Sequence, residues 1–122
     1  MNRIGRWRES FGKTVHDLED EELQADATRI GATPIAELPE REQVQVCGTV
    51  RAVTLPPLRS VPMLVVEIYD GTTPLNLVWL GRRQIRGIGT GTYLTARGRV
   101  TRVKGVRTIY NPSYTIRPHR GG

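Results

Sequence analysis

Two apolar, β-branched runs, Met63 to Tyr69 and Pro74 to Leu80, are separated only by Asp70-Gly71-Thr72-Thr73. Asp-Gly between such runs is the strongest hairpin signal a short stretch of sequence offers, because glycine accepts the backbone angles that a tight reversal demands. The same period of two appears on either side of this hairpin. Val44, Val46, Gly48, Val50 and Ala52 alternate with Gln45, Cys47, Thr49 and Arg51, the pattern of a strand with one buried face. Thr92 to Val103 alternates again, and Lys104-Gly105 turns the chain into Val106 to Tyr110. Asn111-Pro112 then interrupts that strand before Tyr114 to Ile116.

The connections differ in character. Leu55 to Pro62 holds three prolines, which cannot donate ladder hydrogen bonds, and is read as a stiff, partly apolar loop. Gly81 to Ile88 breaks the period and has room for one or two helical turns. Ahead of the strands, residues 1–13 show no clear period and contain Gly5 and Gly12, so they are read as a mobile arm. A helix is expected from Thr14 or Asp17 to Ile30, with acids in its first turns and with Leu23, Ala27 and Ile30 on one side. Gly31 and Pro34 stop it. The resulting division is an arm and acidic helix over 1–33, a β domain over 34–118 and a basic tail over 119–122.

Five strands joined by a loop, a hairpin, a helical connection and a second hairpin match the order of the oligonucleotide/oligosaccharide-binding (OB) barrel. The expected fold is therefore all-β: a five-stranded Greek-key OB barrel with an N-terminal helix and a short helix between strands three and four. Gly48-Thr49-Val50, Ile68-Tyr69-Asp70-Gly71-Thr72, Leu75-Asn76-Leu77-Val78-Trp79 and Leu94-Thr95-Ala96-Arg97-Gly98-Arg99-Val100 resemble OB domains of the anticodon-binding and RecG-wedge type. Trp79 to Ile88 and Ile109-Tyr110-Asn111-Pro112-Ser113-Tyr114 resemble small, stand-alone actinobacterial OB proteins. What the resemblance implies is a barrel that binds DNA or RNA; it implies no reaction.

Charge points the same way. Residues 1–42 carry a net −4 and residues 43–122 a net +10, with Glu67 and Asp70 the acids of the second segment. Such a barrel attracts polyanions, of which nucleic acid is the commonest. Sixteen of the eighteen basic residues are arginine, a bias that GC-rich coding also produces, so the placement of the charge carries more than its identity. Glu67, Tyr69, Asn76 and Val78 face outward on one strand parity, and Trp79 does so on the other. Tyr69 or Trp79 is the candidate base-stacking ring, and Asn76 lies between them. Arg82, Arg83 and Arg86 form a candidate phosphate anchor. Arg97 and Arg99 share a strand face, with Arg51, Arg102, Lys104 and Arg107 extending the stripe and Arg59 in the proline-rich loop. Folded over this surface, Asp17 to Asp26 would compete with phosphate.

Other chemistries lack their residues. The glycines of Gly87-Ile88-Gly89-Thr90-Gly91 precede a strand, whereas a phosphate loop must follow a strand and open a helix. His16 and His119 lie in the flanks and Cys47 stands alone, as a small half-buried side chain, so neither a metal nor a disulfide is expected. Glu67 and Asp70 make a two-carboxylate hydrolase only if Glu40 or Glu42 joins them. No enzyme activity and no cofactor are expected. Lacking a run of ~20 apolar residues and a secretory leader, the chain is read as cytoplasmic. The expected partner is nucleic acid, DNA ahead of RNA, single-stranded or locally opened, held mainly by phosphate contacts with weak sequence specificity. The alternative is an adaptor that docks a partner protein through the Leu55 to Pro62 loop.

Overall fold

The computed structural model describes residues 3–56 and 61–118, with side chains from residue 15 onward. In chain order the elements are α1 (Arg3–Ile30), a 3₁₀ turn (Ile35–Glu37), β1 (Gln43–Thr54), β2 (Met63–Tyr69), β3 (Pro74–Leu80), β4 (Tyr93–Val103), β5 (Val106–Tyr110) and β6 (Ser113–Arg117). β1 pairs antiparallel with β4 through its first half and with β2 through its second. β2 pairs antiparallel with β3, β3 runs parallel to β5, and β5 returns antiparallel to β4. The circuit β1-β2-β3-β5-β4-β1 closes, which is the OB arrangement. β6 continues along β4 after the Asn111-Pro112 break.

The inward parity fills the barrel. Val46, Val50, Val66, Ile68, Leu75, Leu77, Leu94 and Ile109 are fully buried, and burying an aliphatic side chain of this size contributes about 1.5–3 kcal/mol. Arg51 is an extra residue in β1, because Val50 pairs with Ile68 but Ala52 with Glu67. The bulge shifts the parity by one, so Ala52, expected inside, is exposed.

Tyr69 pairs with Pro74, which leaves Asp70 to Thr73 as a four-residue loop. Asp70 is 1% exposed. Its carboxylate accepts the Ile35 N–H at 2.8 Å, the Thr72 N–H at 2.9 Å and the Thr72 hydroxyl at 2.5 Å. The hairpin is thereby tied to the segment that leads into β1. Gly71 has φ +94°, and a Cβ there would stand 2.5 Å from the Asp20 carbonyl oxygen. A larger residue would push α1 away.

The helix is longer than expected. It begins at Arg3 and runs through Gly5 and Gly12, so residues 3–13 of the expected arm are helical instead. Each internal glycine costs ~1 kcal/mol against alanine, but extending a helix already nucleated costs far less than starting one. Leu23, Ala27 and Ile30 form the docking side as expected, packing with Ala32 on Cys47 and Tyr93. Cys47 is 1% exposed rather than half-buried, because its outward side lies under α1. Among the described residues no helix is long and apolar enough to cross a membrane.

The Tyr93 hydroxyl is buried without a hydrogen-bond partner among the described residues, in the same cluster as Cys47. Desolvation raises Cys47 above its ordinary 9.0 and Tyr93 above its ordinary 10.0. At alkaline pH the unfolded chain gives up these protons while the folded chain keeps them. Their stabilising contribution is therefore complete below about pH 9 and falls as pH rises through the raised folded values. The urea midpoint should drop between about pH 8 and about pH 10.5, and Cys47→Ala and Tyr93→Phe should each flatten that drop. Equal slopes in all three proteins would rule the pair out as its source.

No helix forms between β3 and β4: residues 81–92 run as turns. Gly81, Gly87 and Gly91 adopt φ of +79°, +84° and +92°, which interrupt any helical run. Ile85 and Ile88 still tuck against the core and hold the connection down.

Candidate nucleic-acid interface

Outside the barrel, β2 presents Val65, Glu67 and Tyr69, and β3 presents Asn76 and Val78. Val65 lies opposite Val78, which neighbours Tyr110 of β5, and Glu67 lies opposite Asn76, which neighbours Thr108. Met63 and Leu80 form the next row. The result is a mixed face across β2, β3 and β5, polar at Glu67 and Asn76 and with Val78 and Thr108 buried, from which the Tyr110 ring protrudes, 45% exposed. Sequence reasoning missed Tyr110. Its parity with Thr108 was readable, but the parallel β3–β5 pairing that brings it beside Val78 was not.

The turns around this face carry cations. Arg82 and Arg86 are exposed and Arg83 half-buried in the β3–β4 connection, next to Leu80. They do not share a helix face, since no helix is there; their grouping comes from the short connection itself. Lys104, at φ +51°, lies at the β4–β5 turn between the exposed Val103 and Val106. Among the described residues the ion pairs are Arg29 with Asp26 and Arg102 with Glu40, so none of these four cations is neutralised by one.

The other expected site residues divide. Trp79 faces inward, 6% exposed, and its indole N–H donates to the Pro112 carbonyl at 3.2 Å. It is a core residue and has no face free for a base. Tyr69 does face outward, but its hydroxyl donates to Asp20 at 3.1 Å and the Arg51 guanidinium lies 3.7 Å over its ring. Glu19, Glu22 and Asp26 of α1 line a cavity of about 380 Å³ with Arg51 and Thr49. The acidic helix thus lies over the β1–β4 side of the barrel and meets β2 at Tyr69 and the following turn at Gly71, where Gln24 donates to the Gly71 carbonyl.

The expected arginine stripe is not continuous. Arg97 donates to Gln45 Oε1 at 2.9 Å and Arg99 to the Arg41 carbonyl at 2.8 Å, both on the outer β1–β4 surface. Arg102 instead follows the inward parity of Val100 and meets Glu40 at 2.7 Å at the end of the barrel. Arg107, on the parity of Ile109, donates to the Ala36 carbonyl at 3.2 Å beside the 3₁₀ turn. Strand period two separates these pairs, because 97 and 99 differ in parity from 102. Arg59, Leu58 and His119 lie outside the described residues.

No protein-family model matches the chain, and no curated protein matches it. Among solved structures the chain is similar to RecG bound to a three-way DNA junction, with a TM-score of 0.55 and 20% identity over 73% of this chain. It spans 13% of the RecG chain. It is also similar to a chain of a replication protein A heterotrimer bound to ssDNA, with a TM-score of 0.48 and 16% identity over 74% of this chain and 73% of that one. The likeness to RecG shows the fold: a five-stranded OB barrel.

Proposed function

We propose that the barrel binds single-stranded or locally opened nucleic acid, DNA ahead of RNA, mainly through its phosphates and with weak sequence specificity. Binding rather than catalysis, without a cofactor, is the whole of this reading, and a cytoplasmic setting belongs to it. The observation that carries it is the β2–β3–β5 face, with Tyr110 standing out of it and with Arg82, Arg83, Arg86 and Lys104 in the connections around it, none of them ion-paired among the described residues. This is the face through which OB barrels take oligonucleotides. RecG, whose fold the chain shares, was solved bound to a three-way DNA junction, which supports a nucleic-acid partner here.

Fluorescence anisotropy with labelled single-stranded DNA, single-stranded RNA, duplex and fork, at several salt concentrations, tests the proposal. Four to six phosphate contacts on a single strand correspond to a log-log salt slope of roughly −3 to −4. A flat salt response, or no binding at low salt, would overturn it. The adaptor reading rests on Leu55 and Val61, 49% and 65% exposed at the two ends of the β1–β2 loop. An adaptor would lose its partner on Leu55→Asp and keep it when the three arginines of the β3–β4 connection become alanine.

A further inference from the structure

Beyond Leu80 the proposed interface runs into a cleft of about 490 Å³ between the β3–β4 connection and the corner joining β5 to β6. We propose that this cleft receives one unstacked nucleobase of the bound strand, while Arg82 holds the adjoining phosphate. The inference rests on the nucleic-acid reading above.

The corner is built to be rigid. The Asn111 N–H donates to the Val78 carbonyl at 2.6 Å, and Asn111 Oδ1 accepts the Leu80 N–H at 2.9 Å. Trp79, bonded to the Pro112 carbonyl, holds the Tyr114 ring at 5.7 Å in an edge arrangement of 83°. Tyr114 itself remains 38% exposed. The wall is therefore an aromatic ring fixed by a buried one, with Leu80 and Ile85 supplying apolar surface.

The polar groups left at the mouth are chiefly donors. With Asn111 Oδ1 occupied, its amide NH₂ remains, together with the Ser113 hydroxyl and the Arg82 guanidinium. None of the residues lining the cleft is acidic. An occupant that uses all of this is flat and partly apolar, carries carbonyl or ring-nitrogen acceptors and is joined to an anion. A nucleobase on its phosphate has each of these properties. An aliphatic peptide side chain would make no use of these donors, which belong to exposed residues and would stay bonded to water. The cleft also adjoins Leu80 and the Tyr110-Asn111 corner, so a strand lying over Tyr110 can enter it without leaving the surface.

The test uses the full chain and the shortest oligothymidylate that binds with full affinity, so that the strand cannot slide. An abasic residue is moved through it one position at a time. One position is expected to weaken binding by about ten-fold, the scale of a single stacked base. Tyr114→Ala, and separately the exposed Ser113→Glu, should weaken the intact strand and remove the abasic penalty at that position. Tyr110→Ala should weaken binding but leave the penalty in place.

A flat abasic scan, or a penalty undiminished in both cleft variants, would overturn the proposal while leaving the interface intact. Absence of any binding by the parent protein would overturn the interface as well. Tighter binding of free thymidine monophosphate than of the strand would assign the cleft to a mononucleotide and also overturn it. Thermal melts of each variant separate loss of the cleft from loss of the fold.

Discussion

The Asp70→Ala protein is expected to melt about 10 °C or more below the parent. The residue sits in a hairpin loop, where substitutions are usually mild, but its carboxylate is buried and accepts three hydrogen bonds. Alanine leaves the Ile35 and Thr72 amides without their acceptor, and a buried donor that loses its partner costs about 1–3 kcal/mol. Two amides and a hydroxyl therefore amount to ~3 kcal/mol or more. In a domain of this size each kcal/mol is worth roughly 3–5 °C in melting temperature. Asp70→Asn should fall between the two, because the amide keeps one acceptor oxygen but turns a donor toward an N–H. Circular-dichroism melts decide the matter. A shift below about 2 °C for the alanine variant would mean that the carboxylate does not join the hairpin to the lead-in of β1.

Replacing Arg82, Arg83 and Arg86 together with alanine is expected to cost about 100-fold in single-strand affinity at ~0.1 M salt, with little change in melting temperature. Each phosphate neutralised on a single strand contributes about 0.7 to the salt slope. Three lost contacts therefore flatten the slope by about 2, and at 0.1 M salt that corresponds to about two decades in affinity. The fold should tolerate the change, since the connection is held by Ile85 and Ile88 and by glycine conformations, not by the arginine heads. Anisotropy against salt measures both quantities at once. An unchanged slope would remove these residues from the interface. The comparison with Arg97→Ala/Arg99→Ala is informative, because those two side chains are already bonded within the β1–β4 surface, to Gln45 and to the Arg41 carbonyl. That pair should cost much less.

The strands were legible because their signal is local. β2, β3 and β5 begin and end where alternation and turn residues place them, and that Glu67 shares a face with Tyr69, and Asn76 with Val78, follows from period two alone. Where local patterns mislead, a neighbour explains it. Ala52 alternates correctly in sequence yet lies outside, because the bulge at Arg51 is a property of the β1–β2 pair. Cys47 sits on the outward parity yet is buried, because α1 covers it. Trp79 reads equally well as a stacking platform or a core residue, and only the Pro112 carbonyl and the Tyr114 ring show which it is. The β3–β4 connection had the composition of a short helix, but three glycines at positive φ set it as turns.

By itself, then, the sequence determined the order of the strands, the hairpin between β2 and β3, the docking side of the helix and the concentration of positive charge on the barrel. Each of these follows from the spacing of residues along the chain. Tertiary structure alone decided which cations share a surface, and it divided one apparent stripe into a rim, a β1–β4 face and a barrel floor. It also brought Tyr110 beside Val78 through a parallel pairing across 31 residues of chain and built the cleft between two connections. The physical reason is that a strand's side chains alternate by a local rule, whereas closure of a barrel selects neighbours by register between segments distant in sequence.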